Sequence, residues 1–272
     1  MVKKIFGAVL LISLVGLSAC TAASPATAQP TVPAAAQPTE ITVFAASSLT
    51  DAFNEIGSAF STDHPGVKVT FNFAGSQQLR TQLEQGATAD VFASANSAEM
   101  NNAIKSNLVV SGTQKVFVRN RLIVILPKSN AAKIQSLQDL ARPGLKVILA
   151  APSVPVGGYA LTSLGKMNAD FGAAFSQTVI SNVVSYEDNV KQVVAKIQLG
   201  EADAGIVYSS DVTPGAAKDI TTITIDDQYN VLATYPMAVL KAAPQTQSAA
   251  AFVDFVLSDT GQAILQKWGF LA

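Results

Sequence analysis

Ile41-Thr42-Val43-Phe44-Ala45-Ala46-Ser47-Ser48-Leu49 changes its period part-way along. Ile41 to Ala45 is an apolar, strand-like run, and after it Leu49, Phe53, Ile56 and Phe60 recur at helical spacing. A strand therefore feeds almost directly into a helix, with serines at the junction. Backbone N–H groups at such a junction lack internal partners and the helix dipole is positive there, which makes it a place to hold an anion. The same construction recurs at Ala74-Gly75-Ser76-Gln77-Gln78-Leu79. Ahead of it, Val67, Val69, Phe71 and Phe73 alternate with Lys68, Thr70 and Asn72, a half-buried strand. Behind it, Leu79 and Leu83 share one helix face, closed by Gly86. Two junctions that each offer a neutral hydroxyl point to a receptor that grips an oxyanion without using charge.

Outward from these stretches the chain keeps alternating. Asp90 to Ala95 reads as a strand, and Asn96 with Glu99 forms a capping-box start for the next helix. Leu122 to Leu126 is a buried-type strand ended by Pro127, and Leu145 to Ala150 is another. Strands at Val179 to Val184 and Ala204 to Tyr208 bracket a helix that carries Val190, Val193, Val194 and Ile197 and ends at Gly200. A late strand over Tyr235 to Leu240 and helices around Ala249 to Leu257 and Thr260 to Lys267 complete the pattern. The expected class is α/β, with mostly parallel sheets flanked by helices. About 230 residues of such a pattern exceed one comfortable core, so two lobes are expected. Ligands in these folds bind at the carboxyl ends of strands, where both serine junctions lie.

Composition narrows the function. Of 272 residues, 49% are hydrophobic and 14% charged, with a formal net charge of −1, so no basic excess is available to grip a phosphate backbone. A single cysteine, Cys20, excludes an intrachain disulfide, and a single histidine, His64, excludes a histidine-cluster metal site. His64 is also the one candidate base for a serine hydrolase, but it sits in the turn-like Thr62-Asp63-His64-Pro65-Gly66, and the chain has no Gly-x-Ser-x-Gly elbow. Asp226-Asp227, in a Thr-rich stretch without matching partners, reads as a solvated loop rather than a cation site.

The first residues read as an address. Lys3 and Lys4 precede an apolar run from Ile5 to Leu17, too short to span a bilayer and suited to a signal peptide. The run ends in Leu17-Ser18-Ala19-Cys20, which resembles the bacterial lipoprotein cleavage box, where the cysteine becomes the lipidated first residue. Residues 1–19 are thus expected to be removed. That loss takes the basic side chains from 18 to 16 against 19 acidic ones, a net of −3. Residues 20–39, rich in Ala, Pro, Thr and Gln, are expected to form an extended tether.

Three further segments repeat the strand-to-helix junction or end a strand: Ala151-Pro152-Ser153-Val154-Pro155-Val156-Gly157-Gly158-Tyr159, Ser185-Tyr186-Glu187-Asp188-Asn189-Val190 and Gly205-Ile206-Val207-Tyr208-Ser209-Ser210-Asp211. Each has an ordinary structural reading: a plain turn with Pro near N1, a capped helix start, a core tyrosine. Together with the two serine junctions, and in this order from Ile41 to Phe270, they make the chain resemble the periplasmic molybdate-binding proteins of bacterial ABC importers. Lys267-Trp268-Gly269-Phe270 resembles that family's C-terminal helix end.

The resemblance implies a type II two-lobed periplasmic-binding-protein fold, with one lobe from 40–121 plus 236–272, the other from 122–235, and the ligand between them. It places the ligand contacts on Ser48 and Ser76 (hydroxyl and N–H), Val156 and Val190 (N–H) and Tyr208 (hydroxyl). It implies a binding protein and not an enzyme, with no cofactor. The ligand is molybdate or tungstate, its metal held only as the oxyanion with no direct cation ligand. It implies an exported monomer anchored by lipid on Cys20 to the outer face of the cytoplasmic membrane or in the periplasm, docking on a membrane permease and binding no nucleic acid. The chain departs from some relatives at Ser47, where they have alanine, at Gln77, where they have serine, and at Val156, where alanine occurs. The competing readings are a receptor for sulfate or thiosulfate, a serine hydrolase and a structural surface lipoprotein.

Overall fold

The computed structural model describes residues 39–272; the expected leader, Cys20 and the expected tether as far as residue 38 lie outside them. The chain first lays down β1 (Thr39–Ala46), α1 (Thr50–Asp63), β2 (Val67–Ala74), α2 (Ser76–Glu84), β3 (Val91–Ala93), α3 (Ser97–Lys105) and β4 (Lys115–Asn120). It continues through β5 (Leu122–Pro127), β6 (Val147–Ala150), α4 (Pro155–Phe171), α5 (Phe175–Ser181), β7 (Val183–Glu187), α6 (Val190–Gln198), β8 (Ala204–Tyr208) and β9 (Ile220–Thr224). It ends with β10 (Ala233–Val239), α7 (Thr246–Leu257) and α8 (Asp259–Lys267).

The strands form two five-stranded sheets, ordered β2-β1-β3-β10-β4 and β7-β6-β8-β5-β9. In each sheet one strand runs against the other four: β10 in the first, β5 in the second. Both are the strands that arrive directly from the other sheet. β4 ends at Asn120 and β5 begins at Leu122, so a one-residue link must enter the second sheet at the end it left the first, which forces the reversed direction. The return from β9 to β10, through residues 225–232, also leads into a reversed strand. Asn230 joins the two crossings: its Nδ2 donates to Leu122 O at 2.9 Å, and its Oδ1 accepts from Leu122 N at 3.0 Å.

Apolar periodicity sets the packing. In α1, Phe53, Ile56 and Phe60 are fully buried on the face that meets the first sheet. The Phe53 ring lies 5.8–6.0 Å from those of Phe71, Phe117 and Phe252, so strand, edge and C-terminal helix all close on it. Burying each such ring contributes roughly 1.5–3 kcal/mol. In α6, Val190, Val193, Val194 and Ile197 form the buried stripe against the second sheet.

Three readings of the sequence need correction. Val179 to Ser181 is the end of α5, and the strand begins only at Val183. Asn182 makes the break: its Nδ2 donates to the carbonyls of Leu140 and Arg142, both at 2.9 Å. The β-branched residues on either side of it belong to different elements that share one composition. β4 and β9 carry no strand reading in the sequence, because both are edge strands with exposed, polar alternate positions. β10 joins the first sheet from Ala233, two residues before the strand read from the sequence at Tyr235.

Candidate functional site

Four helix starts and one strand end converge between the two sheets. Ser48 is the second residue of a 3-10 turn, Ser47–Leu49, that runs straight into α1. Ser76 opens α2 behind an extended Gly75. Val156 follows Pro155 at the start of α4. Val190 opens α6, capped by Asn189, whose Oδ1 accepts from Gln192 N at 3.2 Å. In each case the amide in question lies in the first turn, where no intrahelical acceptor exists. Tyr208 is the last residue of β8. All five residues predicted from the sequence are buried, and together they line one small cavity with about 10 Å³ of open space. Ser47, Gly75 and Ala95 also line it, and no charged side chain does. The space is below the roughly 300–1,000 Å³ of common organic-ligand pockets. A larger hollow of about 420 Å³ at the other end of the first sheet, lined mainly by Leu83, Ala89, Leu108 and Leu240, brings no comparable set of donors together.

The lining is arranged to donate. Ser76 Oγ accepts from Ala95 N at 3.0 Å, which leaves its own proton for the cavity. Ser48 Oγ lies 3.0 Å from the hydroxyl of Tyr235 on β10. Tyr208 Oη is buried and has no hydrogen-bond partner among the described residues. The Tyr235 hydroxyl lies beside it, and the Tyr208 proton is available to an acceptor placed in the cavity. Burial holds the Tyr208 phenol well above its ordinary pKa, so it stays protonated.

Charges surround the cavity without entering it. Lys191, next to Val190, donates from Nζ to Asp51 Oδ2 at 2.7 Å, tying α6 to α1 across the two sheets. The same Nζ lies 3.6 Å from Asp211 Oδ1, while Asp211 Oδ2 accepts from the backbone N–H of Tyr208 at 3.2 Å. A second bridge runs from Gln77 Nε2 to Asp188 O at 3.1 Å, so Gln77 engages the opposite lobe rather than lining the cavity. Burial would lower the Lys191 pKa, but Asp211 and Asp51 outweigh it and leave the pKa raised. Burial pushes the Asp211 carboxyl up to about 6, and Lys191 offsets only part of that rise.

The sign of that shift fixes a pH dependence. Folded Asp211 keeps its proton to a higher pH than an unfolded aspartate, near 3.9. The stability carried by its protonated form is therefore complete below about pH 4 and lost as pH rises through about 6. Relative to Asp211→Asn, which is neutral throughout, the wild-type protein is expected to lose about 2 kcal/mol of unfolding free energy between pH 4 and 7. Urea unfolding of both proteins across that range checks it, and parallel curves would contradict it.

Sequence reasoning missed Tyr235, Lys191, Asp51 and Asp211 as parts of this site. For three of them a signal was present: Asp51, Lys191 and Asp211 follow Ser48, Val190 and Tyr208 by no more than one helical turn. His64 caps the end of α1, stacks on Phe60 at 4.2 Å and faces Asp63 at 3.4 Å, outside the cavity lining. Asp227 pairs with Arg121, and no cluster among the described residues is suited to a metal ion.

Two sheets joined by paired crossings, enclosing a small donor-lined cavity, define a two-lobed solute-binding protein. Residues 41–271 match the bacterial extracellular solute-binding proteins, and the chain belongs to that family. It is 41% identical over 268 residues to the molybdate-binding protein ModA of Mycobacterium tuberculosis, covering 97% of this chain and 96% of that one. The structure resembles the substrate-binding domain of a putative molybdenum ABC transporter from Clostridium difficile, with 31% identity, a TM-score of 0.64 and coverage of 86% and 98%. It also shares its fold with the sulfate-binding protein SubI of M. tuberculosis, at 19% identity, a TM-score of 0.75 and coverage of 85% and 86%.

Proposed function

We propose that this protein captures molybdate, and equally tungstate, between its two lobes through Ser48, Ser76, Val156, Val190 and Tyr208, and delivers it to the membrane permease of an ABC importer. The observation that carries the reading is the charge-free cavity with helix N-termini on both sides and a buried, unpartnered Tyr208 hydroxyl. A tetrahedral dianion with no proton near neutral pH needs donors on every side and is repelled by a carboxylate. Neutral dipoles meet that need without moving a second charge out of water. Hydrogen bonds to a charged group contribute roughly 1.5–3 kcal/mol each, so about six give roughly 9–18 kcal/mol gross. Ordering and imperfect pairing take part of that back, which leaves affinities from about micromolar to nanomolar.

Binding bridges the lobes and shifts the population from open to closed. The closed form is what a permease would recognise. The proposal includes a lipid on Cys20 as the membrane attachment and a monomeric receptor. Among the described residues no helix is long and apolar enough to cross a membrane.

Calorimetric titration with molybdate, tungstate, sulfate and thiosulfate tests the reading. Micromolar or tighter binding of the first two, and at least tenfold weaker binding of the others, is expected. Tighter binding of sulfate would overturn it.

A further inference from the structure

We propose that Lys191 is the latch between the two lobes: its ammonium rests on Asp211 of its own lobe when the jaws are apart, moves onto Asp51 of the other lobe as they close, and so sets how long a captured oxyanion is held. The inference rests on the oxyanion reading above and deepens it.

Lys191 is placed against the preference of its own helix. It is the second residue of α6, directly after Val190, which lines the cavity. The positive end of the helix dipole disfavours a cation there. Asp51, in contrast, lies in the first turn of α1, where the dipole favours an anion, three residues after Ser48. Its Oδ2 accepts from Lys191 Nζ at 2.7 Å, although the two residues are 140 apart in sequence and their helices flank different sheets. Among the described residues the Asp51 carboxylate has no other hydrogen-bond or ion-pair partner.

Asp211 is the other partner, and it is left short. It follows β8, on the same lobe as α6, and its side chain is fully buried. Oδ2 accepts from the Tyr208 N–H, but Oδ1 lies 3.6 Å from Lys191 Nζ, too far for a hydrogen bond, and has no hydrogen-bond partner among the described residues. A buried carboxylate oxygen without a donor is costly. Moving Nζ by about 1 Å toward Asp211 would supply one. When the lobes separate, Asp51 is withdrawn, and that move is the one left to the ammonium. One cation between a carboxylate on each lobe therefore has two resting places, and closure exchanges one for the other. It is paired in both, so opening strands no charge on Lys191. Lys191 and Asp51 are 30% and 37% exposed, so water reaches the bridge and its effect is modest.

The test is stopped-flow and calorimetric titration of the full-length protein with molybdate at pH 7.5, above the value of about 6 to which burial pushes Asp211. It compares wild type, Asp51→Ala, Lys191→Met and the double variant. Asp51→Ala carries the test, because it leaves the Lys191–Asp211 pair in place. It is expected to speed molybdate release about fivefold, with the association rate within twofold of wild type. In the Lys191→Met background the same change should alter release less than twofold, since the bridge is already gone. Charge acting only through space has the opposite sign: loss of a carboxylate beside the cavity would slow the release of a dianion. Unchanged or slower release from Asp51→Ala, or an equal effect of that change in the Lys191→Met background, would overturn the proposal. Wild-type binding of molybdate reports on the oxyanion reading itself, and the latch is judged on the ratio of variant to wild type for whichever tetrahedral oxyanion the wild type binds. Unliganded melting curves separate these outcomes from a folding defect.

Discussion

Molybdate affinity is expected to fall about a hundredfold or more when Tyr208→Phe and Ser76→Ala are combined, since each change deletes a hydrogen bond worth roughly 1.5–3 kcal/mol to a charged ligand. The two hydroxyls come from opposite sheets, so the pair removes a donor from each jaw. Tyr208→Phe deletes an oxygen that makes no well-formed hydrogen bond among the described residues and should destabilise the unliganded fold little. Ser76→Ala strands the Ala95 amide that now donates to Ser76 Oγ, a modest folding cost. Calorimetry on the double variant, alongside its unliganded melting curve, reads the two effects separately. An affinity within threefold of wild type would remove both hydroxyls from the site.

The other large effect should come from Gly75→Val, through closure rather than contact. Gly75 has φ −60° and ψ 138°, a conformation open to any residue, so the substitution should leave the isolated lobe unstrained. A Cβ at this position would nevertheless lie 2.6 Å from the carbonyl oxygen of Asp188, which belongs to the opposite lobe. The Gln77 amide would also be crowded, but it can swing away, whereas the Asp188 backbone is set by the start of α6. The valine acts as a wedge. Molybdate affinity is expected to drop at least thirtyfold, because all contacts to one jaw are weakened at once. Small-angle scattering should show the variant failing to compact on adding molybdate, with an unliganded melting temperature near wild type. Full compaction would show that the lobes close without this close approach.

Much of the site was legible because each binding residue is bound to a local pattern. Ser48 and Ser76 stand where a period of two gives way to a helical period, and Val190 follows a capping Asn189, so short windows sufficed to place them. Tyr208 was legible as the end of an apolar strand. The unread parts depend on long separations. Tyr235 meets Ser48 across 187 residues, and nothing around either one marks the pairing. Lys191 and Asp51 are 140 residues apart. The same holds for the fold. α1 and α6 declare themselves through buried stripes, while β4 and β9 are edge strands whose polar alternate positions match loop composition. α5 was misread because Val179 and Val183 are chemically alike, and only the tertiary bonds of Asn182 divide them.

The direction of β1 has a practical consequence. It starts at Thr39 and delivers Ala46 to the ligand, so the domain's point of attachment to anything upstream and its mouth sit at opposite poles, about 23 Å apart at strand rise. A pull applied at Thr39 would act along the sheet, from the pole away from the opening. The jaws are left free to swing, and to be presented outward to a docking partner, whatever holds the other end.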